Sequence, residues 1–180
     1  MIEGARIVLR AIERDELDLL LAWRNRPEFR RYFREHRELS GVQQERWFEE
    51  KVLGDANTRM FAIAERGDPA KLLGACGLCY IDWVNRSADF SIYIGRDSCY
   101  IDETWAPDAG RVLLGYGFDE LGLHRVWCEV FAFDEAKKRL LPALGFRLDG
   151  RHRAAHWAEG AWHDSLFFGL LDCDFRAQRR

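Results

Sequence analysis

The sequence has little lysine and no excess of basic charge. Lysine supplies four of the 27 basic residues, and 30 acidic residues give a formal net charge of −3. Proteins that bind nucleic acid or an anionic membrane surface through electrostatics carry a basic patch or a high pI. We therefore expect neither nucleic acid nor a membrane as a partner.

The sequence also lacks a long apolar run. No stretch approaches the roughly 20 apolar residues of a membrane-spanning helix, and the N-terminus MIEGARIVLRAIERDE has no signal-peptide core. These absences predict a cytoplasmic protein. With 180 residues, 48% of them apolar, the chain is long enough to form one domain over residues 1–180 without metal or disulfide support.

Paired cysteine motifs are scarce as well. The five cysteines are Cys76, Cys79, Cys99, Cys128 and Cys173. An odd number without a secretion signal favours reduced thiols. Cys76 and Cys79 form a single CxxC in a strand-like run, where positions three apart point to opposite faces, so buried thiols are favoured over redox or zinc chemistry. His152, His156 and His163 lack paired-ligand spacing, and we expect no metal.

Apolar periodicity and turn residues predict an α/β protein with a mixed sheet. The predicted strands cover residues 7–12, 60–65, 72–81, 88–95 and 125–131, with two more around 157–171. Predicted helices cover residues 14–25, 40–53, from about Pro107 to Gly122, and from the cap Asp134 to Gly145. The three strands within 60–95 read as an antiparallel meander.

The strand ADFSIYIG at 88–95 divides its side chains between two faces. Strand alternation places Phe90, Ile92 and Ile94 on one face of the sheet, and Asp89, Ser91 and Tyr93 on the other. A loop and a helix follow this strand. Because free N–H groups and the helix dipole favour negative charge, an anionic ligand can bind at the start of that helix.

Five segments in order resemble the GNAT acetyltransferases, in particular the branch of ribosomal-protein N-terminal and amino-sugar N-acetyltransferases. They are WRNRPEFRRYF, YIDWVNRSADFSIYIG, GYGFDELGLHRVWCEV, LPALGFRLDGRHR and GAWHDSLFFGLL, and the resemblance runs from near residue 5 to near 172. It implies a central mixed, mostly antiparallel sheet flanked by helices. It also implies two middle strands that splay to admit the pantetheine arm of acetyl-CoA, which would pair with the backbone near Tyr93 and Ile94.

The cofactor loop departs from the resembled pattern. The family has approximately Gly-x-Gly before the helix, so that bare amides approach the diphosphate. Here the loop and helix start carry Asp102, Glu103, Thr104 and Trp105. Thr104 supplies a hydroxyl and the backbone amides can still face a phosphate. The alternative is that Asp102 and Glu103 form a solvated acidic helix start that binds nothing.

The next helix departs in two further positions. Asp134 stands where the family usually has Asn, and Leu141 where it has a Tyr that protonates the departing thiolate. On this helix we expect Lys137 and Lys138 to contact the cofactor's phosphates, since in the resembled family the helix borders CoA. The alternative for both lysines is a solvated face.

Acetyl transfer to an amine needs a base, because the amine must be neutral when it attacks. Asp89 is the candidate by strand placement, acting directly or through water, and Tyr93 on the same face is the candidate proton donor. The alternative for Asp89 is a sheet-face carboxylate paired with Arg.

Two groups of residues are candidates for binding the acceptor. They are Trp23, Arg24 and Asn25 at the end of the first helix, and Trp83, Asn85 and Arg86 in the turn before residue 88. Trp and Asn suit a sugar or a peptide backbone. In the alternative interpretation the Trp residues belong to the core and the Arg residues to a solvated rim.

The leading hypothesis is an acetyl-CoA-dependent N-acetyltransferase for a primary amine on a small molecule, an amino sugar or a peptide N-terminus. The second hypothesis is a catalytically inactive acetyltransferase-like module that binds a metabolite or a protein partner in the old cofactor cleft. The resemblance also makes a homodimer a candidate assembly.

Overall fold

The computed structural model describes residues 1–179. Its strands are β1 (Ile2–Glu3), β2 (Ile7–Arg10), β3 (Arg59–Glu65), β4 (Asp68–Asp82), β5 (Ser87–Ile94), β6 (Arg125–Phe131), β7 (Arg147–Ala158) and β8 (Ala161–Leu171). Its α-helices are α1 (Leu17–Arg24), α2 (Pro27–Arg30), α3 (Gly41–Trp47), α4 (Trp105–Gly115), α5 (Glu135–Ala143) and α6 (Asp172–Ala177). No helix within this range combines the length and the apolar character needed to cross a membrane.

All eight strands form one sheet in the order β1-β2-β3-β4-β5-β6-β8-β7. Neighbouring strands are antiparallel except β5 and β6, which are parallel because α4 crosses over between them. This confirms the predicted mixed, mostly antiparallel sheet with flanking helices.

The two parallel strands pair only at their beginnings. Their register runs Ser87 to Arg125, Ala88 to Val126 and Asp89 to Trp127, and then stops. Both strands continue beyond this point, β5 to Ile94 and β6 to Phe131. The middle of the sheet therefore opens after Asp89, as the splayed strands of the resembled fold require.

The alternation predicted for β5 is confirmed. Phe90, Ile92 and Ile94 belong to a core cluster with α4 and α5, whereas Tyr93 belongs to a second cluster on the α1 face. The CxxC divides in the same way. Cys76 is buried in the first cluster, and the Cys79 thiol lies 3.7 Å from the Met60 sulfur among the residues that line cavities on the α1 face.

The helices differ from expectation mainly at their ends. Helix α4 starts at Trp105, two residues before the predicted Pro107, because a carboxylate upstream accepts hydrogen bonds from its first amides. A π-helical turn, Tyr116–Glu120, extends it toward Gly122, whose φ of +65° ends the segment. A second π-helical turn, Phe48–Leu53, extends α3.

Helix α5 matches its prediction closely. The Asp134 side chain caps it by accepting a hydrogen bond from the Lys137 N–H at 3.0 Å, and Gly145 follows its end with a φ of +93°. Pro142 lies in the last turn of α5. The short elements β1, α2 and α6 were not predicted, since two to six residues give too little periodicity to detect.

Candidate functional site

Two adjoining cavities lie on the α1 face where β5 and β6 separate. The inner cavity, of about 340 Å³, is lined by both strands and includes Asp89 and Glu129. The side cavity, of about 620 Å³, extends toward α3 and includes Tyr93. Arg24 and Cys79 line both cavities, so the two spaces share a wall.

Asp89 lies at the last position where β5 pairs with β6, and its side chain is buried against the inner cavity. The Arg34 guanidinium donates one hydrogen bond to Asp89 Oδ2 at 2.6 Å and another to Glu129 Oε2 at 3.0 Å. Burial raises the pKa of Asp89 above its usual value, although the Arg34 charge opposes this rise. Asp89 is thus a buried carboxylate of raised basicity at the point where the sheet opens.

Tyr100 bridges the far ends of the two separated strands. Its carbonyl accepts a hydrogen bond from the Ile94 N–H at 2.8 Å, at the end of β5. Its hydroxyl donates to Asp134 Oδ2 at 3.2 Å, at the cap of α5 after β6. Burial raises the pKa of Tyr100 well above 10, and burial also raises the pKa of Asp134. Tyr100 is a site residue that the sequence did not predict, because its position in a loop gave no signal.

Lys137 points toward the same opening. It is 8% exposed, its Nζ lies 5.8 Å from the centroid of the Tyr100 ring, and it lines the inner cavity together with Asp89. Lys138 lies elsewhere: its ammonium donates to the Ala132 carbonyl at 3.0 Å and to Glu135 at 2.7 Å. The two lysines therefore face different surroundings despite their adjacency in sequence.

Tyr93 is buried on the α1 face beside the side cavity, where its ring meets the Phe33 ring edge-on at 5.4 Å. Burial raises the pKa of its hydroxyl to about 12. Tyr93 lies four positions after Asp89, which corresponds to roughly 13 Å along a strand. The predicted pair thus lies on one face of the sheet, but the structure does not bring the two side chains together.

A third cavity, which we call the loop cavity, lies at the start of α4 and has a volume of about 580 Å³. Asp102, Glu103 and Thr104 line it on one side and residues of α5 on the other. Its basic side chains are Arg6, Arg111 and Arg139, none of which was selected from the sequence. The predicted lysines are not among its lining residues.

The Asp102 carboxylate accepts hydrogen bonds from the backbone amides at the start of α4. Its Oδ2 accepts hydrogen bonds from Thr104 N–H at 2.8 Å and Trp105 N–H at 2.7 Å, and its Oδ1 accepts one from Ala106 N–H at 2.7 Å. Glu103 is exposed. The two acidic residues of the loop therefore differ in role, because Asp102 satisfies the helix N-terminus and Glu103 only adds charge to the cavity.

Of the three candidates for acceptor binding at the end of α1, Arg24 lines the inner and side cavities. Trp23 is 4% exposed and packs directly on Gly95, where any Cβ would fall 1.9 Å from its ring. The Asn25 side chain exchanges two hydrogen bonds with the backbone of Leu39, at 2.8 and 2.9 Å. Trp23 and Asn25 thus have structural contacts, as the alternative interpretation of the Trp residues expected.

The three candidates in the β4–β5 turn lie outside both α1-face cavities. The Trp83 indole donates to the Asn57 side chain at 3.0 Å, and the Asn85 amide donates to Asp82 at 2.6 Å. The Arg86 carbonyl accepts from the His124 N–H at 2.7 Å. These contacts describe an ordered, exposed turn, so the structure does not bring Trp83, Asn85 and Arg86 to the opening of the sheet.

The opened parallel pair and the cavity beneath it agree with what sequence comparison finds. Residues 6–147 match the acetyltransferase (GNAT) domain family. The chain belongs to the GNAT acetyltransferase family. The family part of the sequence-based resemblance is therefore confirmed, and the narrower branch stays a prediction.

Individual GNAT relatives match over nearly the whole chain. The chain is 27% identical over 175 residues to the uncharacterized N-acetyltransferase p20 of Bacillus licheniformis, covering 94% of this chain and 95% of that protein. It is 24% identical over 174 residues to spermidine N(1)-acetyltransferase of Escherichia coli strain K12, covering 97% and 90%.

A solved GNAT structure supports the same architecture. Spermidine N-acetyltransferase from Vibrio cholerae, in complex with CoA and spermine, superposes with a TM-score of 0.86 at 23% identity. The superposition covers 96% of this chain and 99% of that one. At this identity the likeness establishes the fold.

Proposed function

We propose that this GNAT protein transfers the acetyl group of acetyl-CoA to a primary amine bound in the inner cavity. The observation that carries the proposal is the end of β5–β6 pairing at Asp89 and Trp127, with a buried carboxylate at the edge of the opening. Acetyl-CoA supplies an activated thioester. The protein's task is to hold the amine, remove its proton and return a proton to the departing sulfur.

Asp89 is the proposed base. Its carboxylate is buried, so its pKa is raised and its affinity for a proton exceeds that of an exposed aspartate. Arg34 fixes one of its oxygens at 2.6 Å and is itself shared with Glu129. The ion pair therefore orients Asp89, which takes the amine proton directly or through one water molecule.

The backbone of β5 suits the proposed seat of the pantetheine arm. The Tyr93 carbonyl points toward β4. The Ile94 N–H donates its hydrogen bond to the Tyr100 carbonyl. Ile92 shares an edge of the strand with Ile94 and lies closer to the point of separation. We therefore place the arm along Ile92 and Ile94, with the side chains of Asp134 and Lys137 at the opposite strand end.

The loop cavity suits the diphosphate of the cofactor. Arg6, Arg111 and Arg139 bring positive charge to it, while the amides of Thr104 and Trp105 are the helix-start donors. Asp102 competes for these same amides. Binding of a diphosphate there requires that the Asp102 side chain turn away, which makes weak cofactor binding the expected property of the loop.

Three groups are proposed to protonate the sulfur that leaves. Tyr100 keeps its hydroxyl proton at neutral pH as an ordinary tyrosine does, burial raises its pKa further, and Lys137 brings an ammonium to the same opening. Tyr93 stays in the proposal as a donor from the side cavity. Leu141, which replaces the usual tyrosine on α5, is fully buried in the core and has no proton to give.

The class of acceptor, the oligomeric state and the cellular location of the protein are further parts of the proposal. The spermidine acetyltransferase relatives support an amine acceptor, and a peptide N-terminus or an amino sugar remains within the proposed class. We propose a cytoplasmic enzyme, and a homodimer stays a prediction from the resemblance.

The proposal is tested by titrating the protein with acetyl-CoA in a calorimeter and by incubating it with acetyl-CoA and a panel of primary amines. Mass spectrometry detects the acetylated products, which avoids thiol reagents that would react with the protein's own cysteines. We expect measurable binding and transfer to at least one amine. Binding without transfer to any amine, or no heat at millimolar acetyl-CoA, would contradict the proposal.

A further inference from the structure

Arg24 stands at the wall that the inner and side cavities share. Its Cζ lies 4.6 Å from the centroid of the Phe33 ring, so the guanidinium rests against an aromatic face. The negative charge of Glu35 acts to raise the pKa of Arg24, but the Glu35 carboxylate accepts its hydrogen bonds from Arg37, at 2.9 and 2.6 Å. Within residues 1–179, Arg24 forms no ion pair with a carboxylate.

The other basic residues around these cavities include several with acidic partners. Arg34 is held by Asp89, and the Lys51 ammonium lies 3.3 Å from an Asp55 carboxylate oxygen. Lys137 also lines the inner cavity, with its ammonium over the Tyr100 ring. Among the residues that the structure describes, Arg24 is thus a positive charge at the wall of the site that forms no ion pair with a carboxylate.

Burial lowers the pKa of Arg24, but an arginine stays protonated near neutral pH. A charge that has lost part of its hydration without gaining a counter-ion is held at a cost in free energy. Contact with the Phe33 ring leaves the edge of the guanidinium free, and that edge can donate two parallel hydrogen bonds to a carboxylate or a phosphate.

We infer that the acceptor amine carries an anionic group, a carboxylate or a phosphate, and that Arg24 binds this group. The inference rests on the proposed acetyl transfer and names the substrate class for the same site. Asp89 and Arg24 both line the inner cavity of about 340 Å³, so a molecule that fills this cavity can contact both. A polyamine would instead place a second ammonium near the like charge of Arg24.

Four amines of similar length test this assignment. β-Alanine carries a carboxylate, 2-aminoethyl phosphate a phosphate, β-alaninamide no charge, and 1,3-diaminopropane a second ammonium. Acetylated product is quantified by mass spectrometry to give kcat and KM for each. We expect kcat/KM to be about ten- to hundredfold higher for an anionic acceptor than for the neutral and cationic ones. The first two amines also show which anionic group is preferred.

Variants of Arg24 separate recognition from chemistry. Arg24→Gln is expected to raise KM for the preferred anionic amine about ten- to hundredfold, with little change in KM for acetyl-CoA. Arg24→Lys keeps the positive charge but lacks the planar guanidinium. Its KM for the anionic amine should lie between the values of the parent and of Arg24→Gln. The matched control is Arg153→Gln, an exposed arginine on β7 outside these cavities, which should behave as the parent.

Two further measurements keep the result decisive. Thermal unfolding shows whether Arg24→Gln is folded, with Arg24→Lys as the substitute if it is not. Calorimetric titration with N-acetyl-β-alanine and with 2-aminoethyl phosphate measures anion binding without turnover, and Arg24→Gln should weaken it about ten- to hundredfold.

If kcat/KM is no higher for the anionic amines than for the other two, or if Arg24→Gln binds the anions as tightly as the parent, the inference is overturned while acetyl transfer stays intact. Lack of product from every amine overturns the proposed function instead. In that case the calorimetric titration still decides whether Arg24 binds an anion.

Discussion

The hydroxyl of Tyr100 and the carboxylate of Asp134 meet 3.2 Å apart across the opening between β5 and β6. Both residues are buried, and the Asp134 carboxylate also caps α5. The loop that precedes α4 is therefore tied to the start of α5. This side-chain hydrogen bond joins the two walls at the far end of the opening, and Arg34 links Asp89 and Glu129 near its start.

This bond gives the first prediction. Tyr100→Phe removes one donor from a buried carboxylate and should lower the free energy of unfolding by about 1–3 kcal/mol. Urea unfolding measures the change. Tyr32→Phe is the control, because the Tyr32 ring stacks on Tyr100 at 4.4 Å and the variant keeps that ring. A Tyr100→Phe variant as stable as the parent would show that water replaces the missing hydroxyl.

The second prediction concerns Asp102. Asp102→Ala frees three helix-start amides, and the triple variant Asp102→Gly, Glu103→Lys, Thr104→Gly also removes a second negative charge. The triple variant should bind CoA more tightly by about 1–3 kcal/mol, roughly tenfold to a hundredfold. The single variant should supply a large part of this gain. The gain should shrink as salt is raised, because part of it is screened charge.

Glu103→Gln is the matched control for that loop. It removes one exposed charge but leaves the Asp102 hydrogen bonds in place, so its gain in affinity should be the smallest of the three. Thermal unfolding should report a loss of about 1 kcal/mol in Asp102→Ala, since α4 loses its cap. If the folded triple variant binds CoA no better than the parent, the phosphates do not bind at this loop and Asp102 is only a helix cap.

The third prediction tests the base. Asp89→Asn should lower kcat about 10²- to 10⁴-fold, because the amide accepts no proton from the amine. In the parent, the ionised carboxylate is the active form, so the rate should rise with pH through a pKa above the ordinary Asp range. Arg34→Gln removes the charge that holds this pKa down and should move the rise to higher pH.

Glu129→Gln is the control for Asp89, since Glu129 shares Arg34 but is not the proposed base. The kcat of Glu129→Gln should stay within about tenfold of the parent's, whereas Asp89→Asn should lose the larger factor expected for a general base. An Asp89→Asn variant that keeps full kcat and loses only thermal stability would reduce Asp89 to half of an ion pair.

The fourth prediction concerns the cysteines. Thiolates react with alkylating agents and thiols do not, so exposure and pKa set the order of reaction. Cys173 is exposed, whereas burial raises the pKa of Cys79 and of Cys128 to about 12. Iodoacetamide at pH 8 should therefore modify Cys173 first, as peptide mass spectrometry would show. In urea all five cysteines should react at similar rates, and prompt labelling of Cys79 in the native protein would contradict the buried-thiol interpretation.

Local signals explain which parts of the fold the sequence predicted. The Asp134 cap, Gly145 and the alternating faces of β5 all follow from chemistry within a few residues, and all three are confirmed. The opening after Asp89 was predicted from the resemblance alone. No periodicity in β5 or β6 tells where two strands stop pairing.

The cavity-lining residues depended on contacts distant in sequence. Arg34 reaches Asp89 across 55 positions, and Tyr100 reaches Asp134 across 34. Its residue type and its place at the end of the first helix suggested Trp23 as an acceptor contact, but the lack of a side chain at Gly95 creates the space into which its ring packs. Such complementarity requires coordinates, because it depends on a side chain in one element and an absent Cβ in another.

The same contact between Trp23 and Gly95 links two halves of the proposed reaction. Helix α1 ends at Arg24, and Gly95 directly follows the strand along which the pantetheine arm is proposed to lie. A ligand that displaces the end of β5 must therefore move the neighbour of Arg24 as well. Occupancy of one substrate site should change the affinity of the other, and by the same factor in both directions, since such coupling is reciprocal.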